Sequence, residues 1–215
     1  MKIYAVVLAL IVGGGCSGPD TNRDHANHPS PATGNAAPGV DHNTMGHGNM
    51  NHSGVNTSQG AASAPKELQF LDTMIAHHRG AVEMSILADS RARSPEVKEL
   101  AANIIDEQER EIAKMSEWRE SWFEGKQPAM NMEFPGMSRG MGGMDMKKLE
   151  SLSGNEFDLE FIRQMIPHHE GAIEMAKSIQ EQDGRPDVKV LATDIITAQE
   201  TEIKQMKAWL AAWSK

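Results

Sequence analysis

Apolar residues recur every three or four positions in four separate stretches of the chain, which predicts four helices. The first stretch begins near Phe70, and the segment RARSPE interrupts its pattern. Ser94 followed by Pro95 is typical of a helix N-cap with proline in the first turn, so the second helix should begin there. The apolar stripe of that helix is wide enough to pack in a bundle and consists of Val97, Leu100, Ala101, Ile104, Ile105, Ile112, Met115, Trp118 and Trp122.

The second pair of stretches is a copy of the first. Residues 70–122 align with residues 161–213 at a constant offset of 91, without a gap and with 23 identities over 53 positions. Such a repeat indicates that one helical hairpin was duplicated. Ser153 with Glu156 predicts a capping box at the start of the third helix, and Pro186 begins the fourth. Because each hairpin buries only one face, we expect the two repeated hairpins to form an all-α four-helix bundle.

The first sixteen residues have the features of an export signal. Lys2 precedes the apolar run IYAVVLALIV, which is too short to span a membrane and ends in small residues. Cys16 follows this run and is the only cysteine, so it forms no intramolecular disulfide. Its position resembles that of the lipid-modified cysteine of bacterial lipoproteins. We therefore expect an exported protein in the periplasm or at the envelope membrane surface, anchored by lipid at Cys16; the alternative is a simple secretory signal.

Two segments have the composition of disordered tethers. Residues 17–64 and 124–153 are rich in Gly, Asn, Ser, Pro, His or Met and poor in large apolar residues other than methionine, so neither is predicted to fold alone. They separate the signal, residues 1–16, from the hairpin repeats, residues 65–123 and 154–215. The net charge of −9, without a Lys/Arg cluster, argues against a nucleic-acid partner.

Histidine and methionine occur together at equivalent positions of both repeats, in MIAHHRGAVEM and MIPHHEGAIEM. Met74 lies three and four residues before His77 and His78, so it can reach one ion together with either histidine. His77 and Met84 are about 10 Å apart along a helix and need a second helix to share an ion. The alternative is that these residues only pack the core or form hydrogen bonds. The candidate metal ligands are Met74, His77, His78, Met84, Met165, His168, His169 and Met175.

Polar residues also interrupt the apolar stripes of the second and fourth helices. A buried carboxylate is costly unless it is paired or binds a cation. Glu111 and Glu202 therefore either bind the metal directly or hydrogen-bond the histidines and orient them. The residues considered for these two roles are Gln108, Glu111, Met115, Gln199, Glu202 and Met206.

Thioether sulfur is a soft ligand, and together with imidazole it favours Cu(I) and, by the same chemistry, Ag(I). Di-iron bundles carry Glu-x-x-His on facing helices, whereas this chain has Met-x-x-His in that register. The tethers hold further histidines and methionines, predicted to capture the ion weakly and pass it on; low-complexity drift or a hydrophobic contact with a partner is the alternative. These auxiliary residues are His42, Met45, His47, Met50, His52, Met130, Met132, Met137, Met141, Met144 and Met146.

The segments FLDTMIAHHRGAVEM and FIRQMIPHHEGAIEM, each followed by a helix with Gln-Glu and a late methionine, resemble the family called domain of unknown function 305. That resemblance implies a ferritin-like helical bundle and copper sequestration or delivery in the cell envelope. It also implies that the His and Met positions of both repeats are ligands. Pro167 is the family's usual residue and should kink its helix, whereas the first copy has Ala76 there.

These observations predict a copper-binding protein of the cell envelope rather than an enzyme. Its partners would be copper ions and another envelope copper protein or exporter, with contact to membrane only through the lipid anchor. One alternative is a ferritin-like metal oxidoreductase, such as a cuprous oxidase, that uses an open metal position beside Glu111 or Glu202. Another is a purely structural bundle. The oligomeric state and the pairing of ligands within or between repeats stay open.

Overall fold

The computed structural model describes residues 56–213, whose regular elements are helices. The predicted all-α class is confirmed. Two long hairpins form the bundle, one packed from the first two helices and one from the last two, and α1 contacts α5 between the hairpins. Within this part of the chain, every helix lacks the stretch of uncharged apolar sequence that a membrane span requires. After a short 3-10 helix at Ala61–Ser63, the helices are α1 (Lys66–Arg91), α2 (Pro95–Trp122), α3 (Met137–Gly142), α4 (Met146–Ser151), α5 (Gly154–Gln180) and α6 (Pro186–Trp213).

The helix starts agree only partly with the capping predictions. The Ser94 hydroxyl accepts a hydrogen bond from the Val97 amide at 3.2 Å, as expected for the N-cap of α2. Ser153 is the N-cap residue of α5, but its side chain caps nothing, so the predicted capping box is wrong. The cause is Gly154, whose φ of +64° takes the first residue of α5 out of the helical conformation that a capping box needs. Further along, α5 continues through Pro167.

The two hairpins exchange equivalent contacts, as surfaces related by a two-fold axis do. The Arg185 amide, in the second hairpin, donates to Glu67 Oε1 of the first at 2.5 Å. The Ser94 amide, in the first hairpin, donates to Asp158 Oδ2 of the second at 2.9 Å. Residues 67 and 158, and residues 94 and 185, are related by the same offset of 91. The duplicated sequence therefore folds into a pseudo-two-fold structure with the α1–α5 contact at its centre.

The prediction of disorder for residues 124–153 is wrong, because this segment packs on α1 and α5 through α3 and α4. Its backbone is held by polar side chains of α1. The Ala129 amide donates to Asp72 Oδ2 at 2.7 Å, and the Asn131 amide donates to Thr73 Oγ1 at 3.0 Å. Because these hydrogen bonds order the segment, its sequence does not need the periodic apolar pattern from which an ordered element is usually predicted. Its buried apolar residues are Ala129, Phe134, Met137 and Leu149.

The first tether is also ordered where it approaches the bundle. The Ser58 amide donates to the Met130 carbonyl at 2.8 Å, so residues 56–64 follow the central segment rather than forming part of a disordered tether. The rest of that tether, residues 17–55, and the signal lie outside the described residues.

Close backbone packing places α3 against the bundle. A Cβ atom on Gly171 of α5 would lie 2.7 Å from the Gly140 backbone, and one on Gly140 would lie 2.0 Å from His77 Nε2. Both distances are shorter than real Cβ contacts, so the two positions require glycine. Gly171, which follows His169 by two residues in the second repeat motif, therefore allows the close packing of α3 on α5.

Alanine at Gly140 should destabilise the protein by about 1–3 kcal/mol, because its methyl group would displace α3 from His77. The matched control is Gly142→Ala in the same helix, since a Cβ there meets nothing within 4 Å. Chemical unfolding followed by circular dichroism should show a loss for Gly140→Ala and none for Gly142→Ala. Equal stability of the two variants would contradict this packing.

Candidate metal centre

His77 and His168 form the centre of the contact between α1 and α5. Their ring centroids are 3.8 Å apart, with 41° between the ring planes, and both side chains are fully buried. None of their four ring nitrogens has a hydrogen-bond partner among residues 56–213. A buried polar atom without a partner is costly and is usually explained by a ligand, an ion or a water. The structure therefore brings together one histidine from each repeat, an arrangement that the sequence left open.

The electrostatic surroundings keep this pair neutral. Burial lowers the pKa of His77 well below its ordinary value, and the neighbouring His78 and His169 lower it further. The pKa of His168 is lowered chiefly by burial and then by His77, His169 and His78. A neutral imidazole keeps one nitrogen lone pair free, and that lone pair is what a metal ion binds.

The second histidine of each repeat is oriented by a carboxylate on the partner helix of its hairpin. His78 Nε2 lies 2.7 Å from Glu111 Oε2, and His169 Nε2 lies 2.7 Å from Glu202 Oε2. The Nδ1 atom of each histidine is buried and has no partner among the described residues. A metal-binding histidine typically donates its other N–H to a carboxylate. The geometry thus gives Glu111 and Glu202 the orienting role and presents the Nδ1 atoms as candidate donors.

The cleft between α2 and α6 holds further polar groups near these histidines. Gln108 and Gln199 line it, are 2% and 3% exposed, and leave their side-chain oxygens without a partner in residues 56–213. Glu107 also lines the cleft, and its pKa is raised by burial and by the charges of Glu202 and Glu111. The sequence interpretation missed Glu107, because the second repeat has Ala198 at the equivalent position.

The six methionines of the four long helices are fully buried and fall into two hydrophobic clusters that mix the repeats. Met74 and Met84, which belong to one motif, lie in different clusters. Each of these methionines instead shares a cluster with a motif methionine of the other repeat. One cluster contains Met74, Met115 and Met175, and the other contains Met84, Met165 and Met206.

The central segment adds a methionine beside the histidine pair. A Cβ atom on Gly80 would lie 3.0 Å from Met144 Sδ and 3.2 Å from His168 Nε2, so sulfur and nitrogen converge on the small space above this glycine. The other predicted auxiliary methionines of this segment pack on the bundle rather than in a tether: Met137 is buried, and Met130, Met132, Met141 and Met146 are partly buried.

The remaining predicted residues lie outside the described part of the chain. These are His42, Met45, His47, Met50, His52 and Cys16.

Within residues 56–213, no three His, Cys, Asp or Glu side chains are arranged to hold a metal ion. The donors that do converge are paired imidazoles with a thioether, a set that suits soft ions.

Comparison with solved structures gives several close neighbours. The chain is 40% identical to CopM in its Cu(I)-bound form, covering 69% of this chain and 98% of that one, with a TM-score of 0.59. The Cu(II)-bound form of CopM is 43% identical, covering 68% and 97%, with a TM-score of 0.60. A DUF305 protein from Streptomyces coelicolor is 33% identical, covering 68% and 93%, with a TM-score of 0.60.

Sequence comparison finds a shorter match and a family. Uncharacterized protein L153 of Acanthamoeba polyphaga mimivirus is 45% identical over 53 residues, which is 25% of this chain. The match spans only 35% of the viral protein's length. Residues 67–210 match the domain of unknown function DUF305 and include both histidine motifs and the central segment. The chain therefore belongs to the DUF305 family.

Proposed function

We propose that this chain binds Cu(I), and Ag(I) by the same chemistry, at a centre between its two repeats. The observation that supports this most is the pair of buried, neutral imidazoles of His77 and His168, whose nitrogens have no partner among the described residues. Met144 Sδ and His168 Nε2 lie 3.0 and 3.2 Å from the position that a Cβ atom on Gly80 would take, so a thioether is available near the same centre. A soft ion bound there would satisfy groups that otherwise only destabilise the fold.

Further donors surround this centre on the same interface. His78 and His169 present their Nδ1 atoms while Glu111 and Glu202 hold their Nε2 atoms. The two methionine clusters add buried thioethers from both repeats to the core of the bundle. This supply of ligands is larger than one Cu(I) ion needs, which fits a protein that holds or passes on several ions.

The comparisons support copper as the cargo. CopM, at 40–43% identity over most of the described region, has been solved with Cu(I), Cu(II) and silver. A protein that takes both Cu(I) and Ag(I) is consistent with thioether and imidazole ligands. The DUF305 family match, residues 67–210, covers the histidine motifs and the central segment of the present chain.

The role that follows is sequestration or delivery of copper outside the cytoplasm, without catalysis. Export and lipid attachment at Cys16 would hold the bundle at the envelope surface. His42, Met45, His47, Met50 and His52 of the N-terminal segment would then capture the ion first and pass it to the bundle. The recipient in this scheme is another envelope copper protein or an exporter.

Replacing either central histidine with alanine should weaken Cu(I) binding by roughly a hundredfold or more, because a direct ligand contributes more than an orienting group. Anaerobic titration of the full chain against a Cu(I) chelator measures this. The matched control replaces His42, Met45, His47, Met50 and His52 with alanine, and should keep the tight site. The proposal fails if the His77→Ala and His168→Ala variants bind as tightly as the unmodified chain.

Removing the orienting carboxylate should have a smaller effect. Glu111→Gln loses the charged partner of His78 and should weaken Cu(I) binding by about 10- to 100-fold in the same titration. Glu109→Gln, on the exposed face of the same helix, serves as the control and should bind normally. Identical affinities of the two variants would show that Glu111 does not act on a metal ligand.

The metal-free protein should lose stability as the pH falls from 7 to 5. Burial lowers the pKa of His77 and His168 in the folded chain, whereas in the unfolded chain they titrate near 6.5. Below that pH the unfolded state binds more protons, so the stability present above pH 6.5 is progressively lost. Thermal unfolding should show a steeper fall in Tm for the wild type than for His77→Gln, His168→Gln. Parallel pH profiles would contradict the assigned burial.

A further inference from the structure

Stacked tryptophans lie at equivalent places in the two hairpins. Trp118 and Trp122 have ring centroids 5.0 Å apart near the end of α2, and Trp209 and Trp213 are 5.5 Å apart at the end of α6. The offset of 91 relates the two pairs. Their surroundings, however, differ, because the loops that cover them have different sequences.

In the first hairpin, the chain itself covers the tryptophan. The Arg185 guanidinium lies over the Trp122 ring at 4.5 Å and forms an ion pair with Glu67. A guanidinium held between an aromatic face and a carboxylate is a favourable and specific arrangement. At this end of the bundle, an arginine guanidinium therefore fits between a tryptophan ring and a carboxylate.

Beside Trp213 of the second hairpin, the residue equivalent to Arg185 is a serine of the first hairpin. Ser94 occupies the position equivalent to Arg185, and its hydroxyl is used to cap α2 and to donate to Glu96. Asp158 takes the place of Glu67 and accepts the Arg93 and Ser94 amides at 3.1 and 2.9 Å. The carboxylate and the backbone bond are kept, but Ser94 takes the position of Arg185. The neighbouring Arg93 lines the same space as Trp213 without forming a cation–π contact with its ring.

A half-open cavity of about 480 Å³ lies beside Trp213 and is lined also by Ser94, Pro95, Glu96 and Asp158. Trp213 is 37% exposed, and within residues 56–213 no cation lies over its ring. Hydrogen bonding from Ser94 lowers the pKa of Glu96, so its carboxylate is charged at neutral pH. Arg93 is the one cation among the lining residues.

We propose that this cavity binds the guanidinium of an arginine side chain presented by a partner protein. The arginine would lie on Trp213 as Arg185 lies on Trp122, with Glu96 and Asp158 as the nearby acidic groups. The chain's net charge of −9 favours approach of such a basic segment. This surface is separate from the histidine centre and does not depend on copper.

The test uses the peptide acetyl-Gly-Arg-Gly-amide as the probe and the same peptide with citrulline, which is neutral and nearly isosteric, as its control. Nitrogen-15 NMR of the full chain follows the four indole signals, and Trp213→Phe identifies the relevant one. The arginine peptide should shift the Trp213 signal saturably, and the citrulline peptide should not. The Trp122 signal is an internal control and should stay unchanged, because Arg185 already covers that ring.

Charge variants sharpen the test without removing the tryptophan. Glu96→Gln should weaken peptide binding by about two- to fivefold, and Arg93→Ala should strengthen it by a similar factor, since both groups are exposed. Ser94→Arg introduces the residue of the other repeat and should cover the Trp213 ring as Arg185 covers Trp122, abolishing the shift. No movement of the Trp213 signal, or equal movement with citrulline, would overturn the proposal. It would also be overturned if the shift appears only after residues 1–55 are removed, because the occupant would then be the chain's own segment.

Discussion

The central constraint on this protein is the burial of two imidazole rings that have no hydrogen-bond partner in the described residues. Leaving a buried polar group unsatisfied costs about 1–3 kcal/mol, a large part of the stability of a protein of this size. The repeats place that cost in the middle of the α1–α5 contact, where ordinary packing would place apolar side chains. A ligand that binds only the folded state recovers this free energy, so loading and stability are coupled.

Duplication explains why the centre is on an axis, and the central segment explains why its two halves differ. The contacts of Glu67 with the Arg185 amide and of Asp158 with the Ser94 amide are equivalent and reciprocal. The segment that joins the hairpins cannot be two-fold symmetric. It places Gly140 against His77 and brings Met144 to the space beside Gly80 that His168 also borders, so chemically equivalent histidines have different neighbours. An ion bound between the two histidines, as proposed, would therefore meet different groups on its two sides.

The elements that depend on local chemistry were predictable from the sequence. Apolar periodicity gave the four long helices, and the serine-proline pair located the start of α2. The central segment was not predictable in the same way. Its order comes from side chains of α1, among them Asp72 and Thr73, that bind its backbone, and no periodic pattern records such bonds.

The candidate site was predictable in composition but not in pairing. The repeated motif identifies the histidines, and the apolar stripe around Glu111 predicts that this residue either binds metal or orients one of them. The structure shows its contact with His78. The meeting of His77 with His168 depends on how two helices cross, which residue spacing within one helix does not determine. For the same reason, Met74 and Met84 appeared as one motif and lie in different clusters.

The most direct test of the account is a titration of the metal-free protein with Ag(I), followed by nitrogen-15 NMR of the histidine rings. If one ion binds across the repeats, ring nitrogens of both His77 and His168 should show coordination shifts together, complete at one equivalent. If only one of these rings shifts, or if neither does while silver binds elsewhere, the two histidines do not share an ion and the centre between the repeats is not a metal site.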